Sequence, residues 1–214
     1  MNHIMGKMRM PAMPRLTVSA SYFSQIMDCS NPDIHRVLPD ISSSVFVLKG
    51  SKIIDFGQKH TCFHLLEKSI ARAHGLSADG DEVTDCLAFV PGTPVMTSAD
   101  TTTPSPECFE ALTVCALIKL KISDFYRAAG SIPQLLSIYI SLLESAWHNH
   151  WKVENAIRHL SAKNRYEWFL REYPGLIDAI PHRYIASFLG MTQVTLSRVR
   201  SQHRTRSASA QQPY

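Results

Sequence analysis

Residues 181–202 constrain this chain most. Tyr184, Ile185, Phe188 and Leu189 recur at helical spacing and give one apolar face. Gly190 follows, where a helix stops because glycine takes the left-handed conformation without penalty. Thr192 stands where an N-cap belongs, its hydroxyl placed to accept a bond from an otherwise orphaned amide. The spacing predicts a second helix over 193–202 that buries Val194, Leu196 and Val199 and turns Gln193, Thr195, Ser197, Arg198 and Arg200 outward. Two short helices joined by a turn of about 3–4 residues, the second carrying Arg, Gln, Ser and Thr, suit the DNA major groove. Two ordinary core helices with a basic surface are the plain alternative.

Ile185-Ala186-x-x-Leu189-Gly190-Met191-Thr192, followed by Leu196-Ser197-Arg198, resembles the helix-turn-helix of the Crp/Fnr superfamily of bacterial transcription regulators. It is most similar to the branch with a short or absent wing after the recognition helix. The lead-in, with Arg165-Tyr166 and Glu172-Tyr173-Pro174, resembles that branch too: a helix before the motif, closed by a Tyr-Pro break. The resemblance covers roughly residues 40–203 and is strongest over the last forty. It implies an α+β chain: an N-terminal antiparallel β-roll of jelly-roll, cyclic-nucleotide-binding-like type, a long dimerisation helix, and a C-terminal (winged) helix-turn-helix. Double-stranded DNA, a second copy of the chain and RNA polymerase are the partners it implies.

A chain of 214 residues can hold one large or two small cores. With 45% hydrophobic and 19% charged residues the composition is that of a globular protein. No apolar run approaches the ~20 residues of a membrane span. Met5, Met8, Met10 and Met13 stand among Lys7, Arg9 and Arg15 without an apolar secretory core, so no membrane contact and a cytoplasmic location are expected. The net charge of +4 is unevenly spread. Residues 161–214 hold eight Lys/Arg against three acids, +5, leaving −1 for the rest. A near-neutral body with a basic end fits phosphate. Cys29, Cys62, Cys86, Cys108 and Cys115 form no C-x-x-C pair and read as buried thiols rather than cluster ligands.

Residues 1–30 read as a flexible arm, with one short helix around residues 22–27. A further short helix over 33–38 is expected to stop at Pro39. From Ser44 the period shortens. Val45-Phe46-Val47-Leu48, Ile53-Ile54-Asp55-Phe56, Cys62-Phe63-His64-Leu65-Leu66 and Ile70-Ala71-Arg72-Ala73 are β-rich runs, followed by strands over 83–89, 109–112 and 114–120. The sensor-like roll therefore spans 31–130. Asp79, Asp81 and Glu82 around Gly80 read as a solvated hairpin tip.

Relatives that bind cyclic nucleotides hold the ribose with a Gly-Glu pair and the phosphate with an Arg beside a small residue. The matching segment here, Gly92-Thr93-Pro94-Val95-Met96 and on through Thr101-Thr102-Thr103-Pro104, has no Gly-Glu pair. No Arg or Lys lies between Pro91 and Ile118. An anionic phosphate meets no cation there, so the roll is expected not to bind cyclic AMP in the usual way. Loss of the ligand and a change to an apolar or neutral effector of unknown identity both remain open.

A long helix is expected from Ile132, with Pro133 in its first turn. Alternating steps of four and three give Ile132, Leu136, Tyr139, Leu143, Ala146, His150, Val153, Ile157 and Leu160, the repeat of a pairing seam over 131–160. Leu135 and Leu142 widen the stripe toward the roll. His150, between Trp147 and Trp151, would place like charges together in a pair at acidic pH.

His60-x-x-x-His64-x-x-Glu67 is similar to cupin metal ligands, but on a strand Glu67 points away from both histidines. No hydrolase elbow, Walker loop or paired-carboxylate signature is present. No catalytic residue, metal or cofactor is assigned. The expected function is a homodimeric, sequence-specific DNA-binding regulator on a palindromic site, with the reading unit over 161–203 and a basic tail over 204–214. Arg198 is the expected guanine reader, Gln193 and Thr195 secondary readers, and Thr192, Ser197 and Arg200 phosphate contacts. Many relatives carry an acidic reader after the position of Gln193; Val194 stands there instead. Alternatives are a dimeric effector-binding scaffold whose helix-turn-helix meets a protein, and a cupin-type metal enzyme.

Overall fold

The computed structural model describes residues 31–209, and the expected short helix at 22–27 lies outside them. Helix α1 (Pro32–Ile41) opens with Asn31 as N-cap, whose side chain accepts from the Asp33 amide at 2.9 Å. Contrary to expectation it runs through Pro39. Ile34 and Leu38 are fully buried and Ile41 packs on the same cluster, which holds the last turn despite the missing amide.

Seven strands follow: β1 (Ser42–Val47), β2 (Lys52–Ile54), β3 (Cys62–Lys68), β4 (Ala71–Leu76), β5 (Glu82–Ala88), β6 (Cys108–Ala111) and β7 (Cys115–Lys121). They form two antiparallel sheets, ordered β1-β7-β3 and β2-β6-β4-β5. Leu66 faces Leu117 across β3 and β7, and Ala73 faces Phe109 across β4 and β6. These four residues, with Ile54, Ala71, Ala111 and Cys115, make the roll interior. The small side chains of β4 admit the ring of Phe109 between the sheets.

Helix α2 (Ile122–Ser131) was not expected. Lys121 offers no side-chain cap and Gly130 lies inside it, so the usual start and stop signals are missing. Phe125 and Ala129, four apart, bury its inner face against Ile118 and Leu135. Ile132 ends α2 and Pro133 starts α3 (Gln134–His159), so the predicted first seam position lies outside the long helix. At 26 residues and ~1.5 Å per residue, α3 is about 39 Å long.

Four helices complete the chain: α4 (Ala162–Glu172), α5 (Leu176–Ala179), α6 (His182–Phe188) and α7 (Gln193–Ser209). Ser161 caps α4, accepting from the Asn164 amide at 3.3 Å. The Tyr173-Pro174-Gly175 break ends it, with Gly175 at φ 80°. Their core is continuous with the roll. Leu87 and Leu112 of the roll share one cluster with Val153 and Ala156 of α3 and with Phe169, Ile185, Phe188, Leu196 and Val199. Helix α7 runs on to Ser209 where a tail was expected after 203, and no strand follows β7 among the described residues. No helix of the described residues is long and apolar enough to cross a membrane.

Candidate nucleic-acid interface

The turn between α6 and α7 is built as its sequence suggests. The Leu189 amide donates to Ile185 O at 2.9 Å, and Gly190 takes φ 58°. Thr192 Oγ1 accepts from the Thr195 amide at 3.1 Å, and its carbonyl accepts from Leu196 N at 3.0 Å. This gives α7 an N-cap and leaves its first turn facing out. Arg165 of α4 fixes the turn from behind, Nη1 donating to Leu189 O at 2.7 Å and Gly190 O at 3.1 Å.

Helix α7 buries Leu196 and Val199, and the His203 ring meets Tyr166 of α4 edge-on at 5.6 Å. The opposite face carries Gln193, Ser197, Arg198 and Ser201, all exposed. Val194 belongs to this outer face. It was expected in the buried stripe, but it is 58% exposed. Two residues at ~100° each place it on the far side of the helix from Leu196, beside Ser197 and Arg198 at i+3 and i+4.

The other predicted site residues divide. Arg198 makes no hydrogen bond or ion pair among the described residues. Thr195 is half-buried, its hydroxyl 2.9 Å from that of Thr192. Arg200, expected at phosphate, lies four residues after Leu196 and so reaches the inner rim. It pairs with Asp178 of α5 at 3.0 Å and bonds the His182 ring of α6, which braces the three helices and commits its charge.

The pairing seam also divides. Tyr139 packs on Phe63 and Phe125 of its own chain, at ring distances of 5.1 and 5.8 Å. Leu143 lines a cavity beside the roll, and Ala146 is half-buried. Val153, Ile157 and Leu160 pack into the C-terminal core. Of the named positions Leu136 and His150 are exposed, and Ile140, Trp147 and Trp151 share that exposure. These apolar residues form a stripe rotated from the predicted one. His150 Nδ1 lies 3.8 Å from Asp85 Oδ2 of β5, a neighbour in its own chain.

A cavity of about 70 Å³ lies between β3 and α3. Phe63, Ile118, Leu135, Tyr139 and Leu142 make it apolar, and His60, Cys62 and His64 also line it. His60 Nε2 and His64 Nδ1 are buried without a hydrogen-bond partner. Burial, helped by Lys119 and His60, pulls His64 down to about 4, so it is neutral near pH 7. Glu67, expected to point away, accepts from Ser44 Oγ at 2.7 Å.

Sequence reasoning missed a polar junction between β5 and α6. Arg72 of β4 is 1% exposed. Its Nε donates to Glu110 at 2.5 Å, its Nη1 to Thr84 Oγ1 at 3.1 Å, and its Nη2 to Glu82. Glu82 opens β5 and stays exposed, as expected of a tip residue, while the hydrogen bond from Arg72 holds its carboxyl below the usual range. His74, Glu82 and Glu110 bring ligand atoms within 4.8 Å of one another, but the cation held between the two carboxylates is Arg72 itself. The Tyr184 ring of α6 lies 3.7 Å from the guanidinium carbon.

No family model and no curated protein sequence matches the chain. Solved structures do. FixK2 from Bradyrhizobium japonicum superposes with a TM-score of 0.68 at 18% identity, over 78% of this chain and 86% of that one. A Eubacterium rectale protein described as a transcriptional regulator of the Crp/Fnr family gives 0.65 at 19% identity, over 87% and 88%. A cyclic nucleotide-binding domain from Methylobacillus flagellatus gives 0.55 at 15% identity, over 65% and 85%. The chain therefore has the fold of the Crp/Fnr regulators, a cyclic-nucleotide-binding-type roll joined by a long helix to a C-terminal helix-turn-helix.

Proposed function

We propose that this chain is a sequence-specific DNA-binding transcription regulator that acts as a homodimer on a palindromic site. The observation that carries the reading is the outer face of α7. An N-capped helix on a braced turn offers Gln193, Ser197 and Arg198 to solvent, in a C-terminal segment of net charge +5. A guanidinium fork matches the guanine edge, so Arg198 reads a base, with Gln193 and Val194 beside it. Thr192 and Ser197 contact phosphates, while Arg200 holds the unit rigid. Two copies pair through the exposed stripe of Leu136, Ile140, Trp147 and Trp151, and their two α7 helices have successive major grooves, ~34 Å apart, to meet.

The roll works without cyclic AMP. Its cassette-like segment has no cation between Pro91 and Ile118, and the cavity beside α3 is apolar. An effector suited to that cavity is small and apolar with one hydrogen-bonding group for the buried imidazoles. Fluorescence anisotropy with bulk duplex at two salt concentrations tests the DNA reading. A steep loss of affinity with salt supports it, and no binding at low salt overturns it in favour of a protein partner. Sedimentation at micromolar concentration tests the dimer.

A further inference from the structure

Apolar packing holds the helix-turn-helix near the roll, but apolar contacts are non-directional. Orientation needs contacts with geometry, and the junction of β5 and α6 supplies them. Tyr184 and Ser187, three residues apart, lie on one face of α6. Tyr184 covers the buried guanidinium of Arg72, centroid to carbon 3.7 Å. Ser187 Oγ accepts from the Thr84 amide at 2.9 Å and donates to the Glu82 carbonyl at 3.4 Å. β5 ends its sheet, so this amide lies on the sheet edge and Ser187 occupies it.

Arg72 is itself immobilised by three partners on the roll: Glu110, Thr84 and Glu82. The charge is compensated within the roll, and Tyr184 closes it from water. A buried charge with its hydrogen bonds filled tolerates little displacement, because any rotation exposes or unpairs it. Arg183 Nη2 donates to the Tyr184 hydroxyl at 2.9 Å.

We propose that Arg72 is a positioning residue for the DNA-reading unit: clamped between Glu82 and Glu110, it seats Tyr184 and Ser187 of α6 and so sets how α7 is oriented relative to the roll. The clamp itself stands on the junction's geometry; its consequence for DNA rests on the function proposed above. With the roll fixed to the dimer helix, the clamp determines the separation at which two copies of α7 engage a duplex.

The test uses the full chain. Arg72→Ala leaves two carboxylates facing each other and can fail to fold, so the deciding variant is Tyr184→Leu with Ser187→Ala, which spares the ion pairs of the roll. Without DNA, amide exchange should accelerate at Thr84 and across residues 182–188, while β4 and α4 keep their protection. Unchanged exchange there overturns the clamp. With DNA, the probe is a duplex carrying two half-sites, selected by the wild-type chain from a randomised pool. Inserting two base pairs moves the half-sites about 7 Å apart and ~70° around the axis. Wild type should lose about tenfold or more in affinity, a loss on the scale of a mismatched base pair, and the double variant less than about threefold. An equal spacing penalty in both overturns the positioning role. A wild type that selects no duplex overturns the function reading instead, while the exchange experiment still decides the clamp.

Discussion

The guanidinium of Arg165 holds the carbonyl of Gly190, at 3.1 Å, and that of Leu189, at 2.7 Å. A side chain of α4 thereby ends α6 and aims α7. An alanine Cβ at Gly190 would lie 3.2 Å from Arg165 Nη1 and 3.3 Å from Ile157 Cγ2, on a backbone already at φ 58°. Gly190→Ala is expected to destabilise the chain by about 1–3 kcal/mol, and Arg165→Ala by about 1.5–3 kcal/mol through lost charged hydrogen bonds. Chemical denaturation checks both, and a wild-type midpoint for either removes the turn anchor.

Arg198→Ala should lower discrimination at one base pair of the half-site by about 1–3 kcal/mol. Arg200→Ala should instead lower thermal stability, because Arg200 is committed to Asp178 and His182. Competition binding with specific and scrambled duplexes, beside melting curves, separates the two roles. Equal loss of specificity and stability in both variants contradicts the assignment.

Val194 offers the reading face only methyl groups, which match the C5-methyl of thymine. Replacing that thymine by deoxyuridine should weaken wild-type binding about fourfold per half-site, from the ~0.8 kcal/mol of one buried methyl. Val194→Ser, which presents a hydroxyl in place of the methyls, should bind both duplexes alike. A deoxyuridine scan of the selected site measures this; insensitivity of the wild type at every thymine refutes it.

Glu107 carries the clearest pH prediction. Burial, with Asp85 nearby, raises its carboxyl from 4.5 to about 7. The folded state then holds a proton that the unfolded state has released, so stability falls as pH rises from about 4.5 through about 7. Glu107→Gln should raise the melting temperature at pH 8 and change it little at pH 4.5. Thermal melts across that range check it, and a parallel displacement at all pH values counts against the shift.

Much of the architecture was legible in the sequence. The short β-rich runs from Ser44 onward marked the strands, and Tyr173-Pro174, Gly190 and Thr192 marked the helix ends. α2 was hidden because its evidence is long-range: Phe125 and Ala129 need Ile118 and Leu135 to bury them. The predicted seam divides for a related reason. A heptad pattern reports which residues are apolar, but not whether they meet a second copy or, as with Val153 and Ile157, the C-terminal core.

The sequence by itself determined the local chemistry, because caps, turns and helix stops are settled between residues a few positions apart. Thr192 binds an amide three residues on, and Gly190 turns on its own backbone. Only the tertiary structure decided which charges are committed and which face of α7 stays open to solvent. Thr84 and Ser187 stand 103 residues apart, and Arg72 meets Glu110, Glu82 and Tyr184 only after three strands and a helix have packed. No periodicity encodes such a junction, since its partners meet only once the strands and the helix have packed.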